Sequence, residues 1–223
     1  MICVAGFFDF NEYKIASSND LADDAPVIIV DAGHGGFDGG AVAKDGTVEK
    51  NINLSIANYL KSFLVSNGAK VIMTRNSDMA TDDVETKSIA ARKKSDLKNR
   101  VNLMKEYPNA IYVSIHLNKF TTSAANGAQV FYSQNARGSK ELGESIQKSI
   151  ITKMQTYNQR TIKKGTGSTY ILKNATVPTV IAECGFISNH QELEKLKDKS
   201  YQRKMAFCIC CGINEYYKKV IRK

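Results

Sequence analysis

The chain has 223 residues, of which 43% are hydrophobic, so it can bury one sizeable core and we expect a single folded domain. Its formal net charge of +9 favours an anionic partner, either nucleic acid or another polyanionic matrix. The basic residues are spread from Lys87 to the carboxyl end and are not interleaved with aromatic residues, so we expect no nucleic-acid partner.

The amino terminus is predicted to be a leader. Residues 2–8 are apolar, but the stretch is too short to span a bilayer and lacks the basic flank of a secretory signal. Residues 11–25 are polar and acidic, which is typical of a mobile segment. We interpret residues 1–25 as a leader, or as the remainder of a longer signal or anchor, and residues 26–223 as the functional domain.

The first predicted strand leads into a glycine-rich turn that carries a histidine. Residues 27–30 form a continuous β-branched run, as expected for a strand covered on both faces, and His34 follows between Gly33 and Gly35. The glycines let the backbone turn sharply and approach a ligand. Loops at the carboxyl ends of strands form the binding crevice of open α/β sheets, so His34 is a candidate site residue.

Three further polar residues are predicted to reach the same edge of the sheet. Glu49 starts an amphipathic helix over residues 50–67, where its charge favours the positive helix end and can face the His34 loop. Apolar runs at 110–116 and 177–183 end in His116 and Glu183. We expect these side chains to converge because the carboxyl ends of parallel strands meet.

The remaining elements alternate between strands and helices. We predict strands at 69–74, 128–132 and 170–172, a helix that Asp96 caps and Pro108 ends, a helix lined by Leu142, Ile146, Ile150 and Met154, and a helical tail from Tyr201. This alternation predicts a single α/β domain, with a mostly parallel twisted sheet of about six strands and helices on both faces.

The converging residues suit a catalytic zinc site. Two histidines and one carboxylate can hold zinc with an open position, and the second carboxylate is then available as a base. The residue types alone leave open whether Glu49 or Glu183 is the ligand. The alternative for Glu183 is a structural ion pair with Arg75 or Arg100; we favour function for Glu183 and structural roles for both arginines.

The cysteines and the third histidine are interpreted as structural. Five cysteines do not form a disulfide framework, and the cysteines of residues 208–211 lie on an apolar helical face. Cys184 adjoins Glu183, but strand alternation points the two side chains to opposite faces. Residues 188–191 have capping-box spacing, which places His190 at the surface in a helix's first turn. The glycine-rich residues 164–167 are predicted to form a loop at the cleft.

Several motifs in order carry a family resemblance. They are residues 31–36 (DAGHGG), Glu49 with its helix, 73–78 (MTRNSD), 100–103 (RVNL), 114–118 (SIHLN) and 182–189 (AECGFISN). From about Pro26 to about Tyr217 the chain resembles the zinc-dependent N-acetylmuramoyl-L-alanine amidases. Because the chain is short, it is most similar to the spore-cortex branch of that family. The family commonly has proline where this chain has His190, a departure that touches no catalytic role.

The resemblance implies roles for individual residues. His34, Glu49 and His116 would be the zinc ligands, Glu183 the catalytic base, and Asn118 a substrate contact. Zinc-activated water would cleave the amide between N-acetylmuramic acid and the L-alanine of the stem peptide in peptidoglycan. The enzyme would act outside the cytoplasm, secreted or membrane-anchored at the cell wall or spore cortex.

The alternatives are a zinc peptidase acting within the stem peptide and a non-catalytic wall-binding or nucleic-acid-binding module. A non-catalytic module would be expected to have defective ligands, whereas all four key residues are present. Residues 133–139 connect the predicted strand at 128–132 to the helix that follows it. Some relatives carry a long insertion at this place, and a helix of the insertion blocks the zinc. With this short connection, control is expected to come from elsewhere, through a regulatory or activator protein, metal supply or location.

Overall fold

The computed structural model describes residues 25–83, 88–121, 124–166 and 169–221. The predicted leader lies almost wholly outside these residues, and Gly167 of the predicted cleft loop also lies outside them. The strands are β1 (Val27–Ala32), β2 (Lys70–Met73), β3 (Ile111–Asn118), β4 (Gln129–Tyr132), β5 (Lys163–Lys164) and β6 (Thr179–Phe186). The helices are α1 (Glu49–Ser66), α2 (Ile89–Glu106), α3 (Ser139–Lys153), α4 (Tyr170–Lys173), α5 (His190–Lys197) and α6 (Lys199–Tyr216), and a π-helical turn follows at Tyr217–Ile221.

The strands form one sheet in the order β2-β1-β3-β6-β4-β5. β1 pairs in parallel with β2 and β3, β3 pairs in parallel with β6, and β4 pairs in parallel with β5. Only the β4–β6 pairing within this sheet is antiparallel. The six-stranded, mostly parallel prediction is therefore confirmed.

Helices cover both faces of the sheet, as predicted. Helices α1, α3, α5 and α6 pack on one face around a large apolar cluster, and α2 and α4 pack on the other around a smaller one. Strand residues alternate between the two: Val113 and Ile115 join the large cluster, whereas Tyr112 joins the smaller one. By the same alternation, His116 and Glu183 point to the α2 face at the carboxyl ends of their strands.

The cysteines lie in the core. Cys184, Cys208 and Cys210 belong to the large cluster, and Cys211 is also buried. None of these four cysteines forms a disulfide in the described part of the chain. Their burial agrees with the structural interpretation, and Cys184 lies on the opposite face of β6 from Glu183.

Three local predictions are wrong. Helix α2 begins at Ile89, where the hydroxyl of Ser88 accepts a hydrogen bond from the Ala91 amide, so Asp96 is a buried interior residue and not a cap. Residues 170–172 belong to helix α4 and not to a strand, since the Lys173 and Asn174 amides donate to the Thr169 and Tyr170 carbonyls, both at 3.0 Å. The cap of α5 is Asn189 instead of Ser188.

No helix among residues 25–83, 88–121, 124–166 and 169–221 combines the length and apolar character needed to cross a membrane.

Candidate metal centre

His34 lies in a tightly held loop after β1. Its φ is 63°, and it is the only non-glycine residue with positive φ in the described part of the chain. The loop closes through two backbone hydrogen bonds between Gly35 and Asp38, of 2.9 and 3.0 Å. Arg100 donates from Nη2 to the carbonyl of His34 at 2.7 Å. These contacts hold His34 in a backbone conformation that L residues rarely adopt.

Two buried arginines anchor the loop, in agreement with the structural roles expected for them. Arg75 donates to the carbonyls of Ala32 at 2.8 Å and Lys50 at 2.8 Å, which joins the end of β1 to the start of α1. Arg100 pairs with Asp31, and both side chains are almost fully buried. Burial alone would raise the pKa of Asp31, but Arg100 and two hydroxyl donors lower it to about 2. Neither arginine pairs with Glu183 in the described structure.

Glu49 reaches the site from the first turn of α1. Its Oε2 accepts from the Ala41 amide at 2.8 Å, and its Oε1 accepts from the Leu117 amide at 2.9 Å. Burial would raise the pKa of this carboxyl, but contacts with His116 and His34 hold it well below the usual range. Glu49 is therefore a fixed, ionised carboxylate.

The two histidines converge on one oxygen of Glu49. His116 Nδ1 lies 3.2 Å and His34 Nε2 lies 3.3 Å from Glu49 Oε1. The ring centroids are 4.8 Å apart, and the ring planes meet at 75°. One donor atom from each of the three residues falls within 4.8 Å of the others, so the set could hold a metal ion.

Gly33 leaves the space that His116 occupies. A Cβ atom built at Gly33 would lie 2.3 Å from His116 Nε2. Real Cβ atoms do not approach so closely, so any larger residue at this position would displace the imidazole.

Glu183 lies beside this group without belonging to it. It is the parallel-strand partner of His116, and Gln129 lies across from it on β4. The Gln129 amide donates to the Thr161 carbonyl at 2.8 Å and accepts from Arg160 at 3.2 Å. Glu183 Oε2 is buried with no hydrogen-bond partner in the described structure. Burial raises the pKa of Glu183 to about 7, although the neighbouring His116 opposes the shift.

The other two candidates occupy different positions. Asn118 ends β3 two residues after His116, and its carbonyl accepts from the Ile187 amide at 2.9 Å. His190 is exposed at the start of α5 and lies outside the donor group, as predicted.

Sequence reasoning missed two residues that contact the donor group. Asn53 donates to Glu49 Oε1 at 3.2 Å and to the Gly33 carbonyl at 3.2 Å. Its spacing of four residues from Glu49 on α1 was a usable signal. Asp38 Oδ2 lies 2.8 Å from His34 Nδ1, but it sits in a loop, where no periodicity points to such a contact.

Comparisons with known proteins agree on one family. The family model described as N-acetylmuramoyl-L-alanine amidase matches residues 28–215. The germination-specific N-acetylmuramoyl-L-alanine amidase of Bacillus subtilis is 35% identical over 191 residues, which cover 86% of this chain and 79% of the relative.

Solved structures show the same similarity. The CwlD amidase from Clostridioides difficile, solved in complex with the GerS lipoprotein, is 39% identical with a TM-score of 0.82, over 86% of this chain and 98% of that chain. The catalytic domain of CwlV from Bacillus (Paenibacillus) polymyxa is 31% identical with a TM-score of 0.72, again over 86% and 98%.

Proposed function

Because the chain belongs to the N-acetylmuramoyl-L-alanine amidase family, we propose that it cleaves an amide bond of its substrate with a bound zinc ion. His34, Glu49 and His116 would hold the zinc, and Glu183 would be the general base. The substrate bond joins N-acetylmuramic acid to the L-alanine of the peptidoglycan stem peptide. The observation that carries the proposal is the buried Glu183 Oε2, which has no hydrogen-bond partner in the described structure, beside a convergent group of two histidines and one glutamate.

The donor group fits zinc. Imidazole and carboxylate are ligands that zinc prefers, and three protein ligands leave the open position of a catalytic site. Glu49 is fixed by two backbone amides, so its geometry does not depend on the ion. When bound, zinc supplies a Lewis acid that makes water a stronger acid and polarises the scissile carbonyl.

Glu183 is suited to moving the proton in this reaction. A base works best when its pKa lies near the working pH, and burial raises the pKa of Glu183 to about 7. We assign it the proton of the attacking water, which it then donates to the nitrogen of the departing alanine. Glu183 therefore serves as base and acid in turn, while Arg75 and Arg100 hold the loop that carries His34.

Asn118 is proposed to contact substrate. It follows His116 by two residues at the end of β3, and the pairing of β3 with β6 shifts register between these two residues. Its register partner is Phe186 on β6, three residues beyond Glu183. An amide at this position can orient the peptide or sugar next to the base.

We further propose that a protein partner controls the enzyme at the cell wall or spore cortex, outside the cytoplasm. The relative CwlD was solved with a lipoprotein, and another relative is specific to germination. In this chain only residues 133–138 separate β4 from α3, so this connection has no room for a helix that covers the site.

A peptidoglycan digest tests the assigned chemistry. The purified protein is assayed as prepared, after chelation and after zinc is restored, and released ends are analysed by mass spectrometry. We expect free muramyl lactyl groups and L-alanine amino termini that disappear on chelation and return with zinc. Termini within the stem peptide would instead indicate a zinc peptidase, and no products under any condition would indicate a binding module.

A further inference from the structure

Asp38 contacts His34 but has no role in the reaction proposed above. Asp38 Oδ2 lies 2.8 Å from His34 Nδ1, and the other ring nitrogen, Nε2, faces Glu49 Oε1 at 3.3 Å. From this geometry we propose that Asp38 is a positioning residue that orients His34 and fixes its tautomer for metal binding. The inference rests on the proposed metal site and adds to it a carboxylate that contacts a ligand instead of the metal.

The physical argument starts from the single N–H of a neutral imidazole. If Asp38 accepts the proton of Nδ1, the lone pair is on Nε2, the nitrogen that faces Glu49. A carboxylate on the far nitrogen also makes the ring a more basic ligand, as in other metal sites with histidine and carboxylate in series. Without Asp38, both tautomers and several ring orientations become accessible.

Asp38 is itself held in place. Its backbone forms both hydrogen bonds of the loop closure with Gly35, and its Oδ1 accepts from the Gly40 amide at 3.3 Å. Lys93 on α2 lies 3.3 Å from its Oδ2. The exposed fraction of its side chain is 17% and that of His34 is 19%, so the contact is largely, but not completely, buried. A carboxylate fixed in this way can restrict the ring that it contacts.

The loop has a second carboxylate anchor that provides a control. Asp78 Oδ1 accepts from the Gly36 amide at 2.9 Å, and its Oδ2 pairs with Lys50 at 2.7 Å. Asp78 supports the same loop without touching either histidine in the described structure. Loss of Asp78 therefore reports on loop support, whereas loss of Asp38 removes loop support and ring orientation together.

The test compares zinc affinity in Asp38→Ala, Asp38→Asn and Asp78→Ala. Zinc dissociation constants are measured by competition with a chromogenic chelator, and thermal unfolding of the zinc-free proteins checks the fold. We expect Asp38→Ala to weaken zinc binding by about 10-fold to 100-fold. Asp38→Asn keeps an acceptor oxygen and should recover part of that loss. Asp78→Ala removes loop support alone, so it should weaken zinc binding less than Asp38→Ala does.

Nuclear magnetic resonance supplies an independent readout. In the zinc-loaded wild type, two-bond ¹⁵N–¹H correlations of His34 should show a protonated Nδ1 and a metal-bound Nε2. A protonated Nε2, or equal zinc affinities in Asp38→Ala and Asp78→Ala, would overturn the role of Asp38. Absence of zinc binding by the wild type itself would overturn the proposed metal site and this inference with it.

Discussion

Glu183 and His116 lie directly opposite each other where the parallel strands β6 and β3 pair. Neighbouring strands are about 4.8 Å apart, so this single pairing places the proposed base next to a proposed ligand. Glu183 Oε2 makes no hydrogen bond to His116 or to any other residue of the described structure. The fold therefore separates the two carboxylates: helix α1 fixes Glu49 in the donor group, and β6 holds Glu183 beside it.

Replacing Glu183 by glutamine should separate catalysis from metal binding. We expect Glu183→Gln to retain zinc and to lower turnover by about a hundredfold to ten-thousandfold, because the amide cannot accept the proton. Turnover is measured by muropeptide release, and zinc by metal analysis. Glu144→Gln, at an exposed position on α3, is the control. Loss of zinc would show that Glu183 is a ligand, and unchanged turnover would return it to a structural role.

The three histidines permit a matched test of the donor group. We expect about one zinc per chain in the wild type and a strongly reduced content in His34→Ala and His116→Ala, since each removes one of three protein ligands. His190→Ala should retain full zinc because this histidine is exposed and outside the group. Metal content is measured with and without added zinc. Full content in the first two variants would contradict the ligand assignment.

The sequence predicts the convergence of the site because that convergence follows from topology. Short apolar runs that end in His116 and Glu183 indicate strands, and parallel strands bring their carboxyl ends to one edge. The structure places these residues side by side, with Glu49 reaching His34 and His116. The other predicted strands are present, except at residues 170–172, which are helical. The two-residue β5 was not predicted, because its exposed Lys163 and Lys164 carry no apolar pattern.

Elements that depend on distant contacts could not be predicted. Aspartate is a common capping residue, yet Asp96 is buried within α2. Its carboxylate accepts from Arg100 at 2.8 Å and from the Thr81 amide at 2.7 Å. The capping site belongs to Ser88, eight residues earlier. Asp38 was missed for a related reason, since only the closure of its loop brings it to His34.

Gly33→Ala tests how closely β1 approaches the metal site. The added Cβ would lie 2.3 Å from His116 Nε2, so we expect the imidazole to move and zinc affinity to fall. Gly33 does not have a positive φ, so the effect should be steric and not conformational. Gly143→Ala is the control, because its Cβ would meet no atom closer than 3.5 Å. Equal zinc affinities in the two variants would contradict this packing argument.

The buried pair of Asp31 and Arg100 predicts a dependence of stability on pH. The folded-state pKa of Asp31 is lowered from 3.8 to about 2, so its contribution is fully present above pH 3.8 and is lost as the pH falls through about 2. That difference corresponds to about 2 kcal/mol of unfolding free energy. Thr74 donates to the same carboxylate at 2.7 Å.

The measurement is urea unfolding of zinc-free wild type and Asp31→Asn between pH 5 and pH 2. Asp31→Asn should be less stable at pH 5, because Arg100 loses its buried partner, and the gap should narrow as the pH falls. A gap that stays constant over this range would show that Asp31 has an ordinary pKa.

The last prediction concerns the basic surface. With 31 Lys and Arg against 22 Asp and Glu, the excess of nine positive charges should concentrate the protein on a polyanionic wall by long-range attraction. Such attraction is screened beyond about 10 Å at 0.1 M salt, so retention on insoluble peptidoglycan should fall as salt rises. Hydrolysis of a short soluble muropeptide should change much less, because its contacts lie at the carboxyl edge of the sheet. A salt titration of both assays is run beside duplex DNA binding. Salt-insensitive wall retention, together with sequence-selective DNA binding that survives moderate salt, would instead favour a nucleic-acid partner.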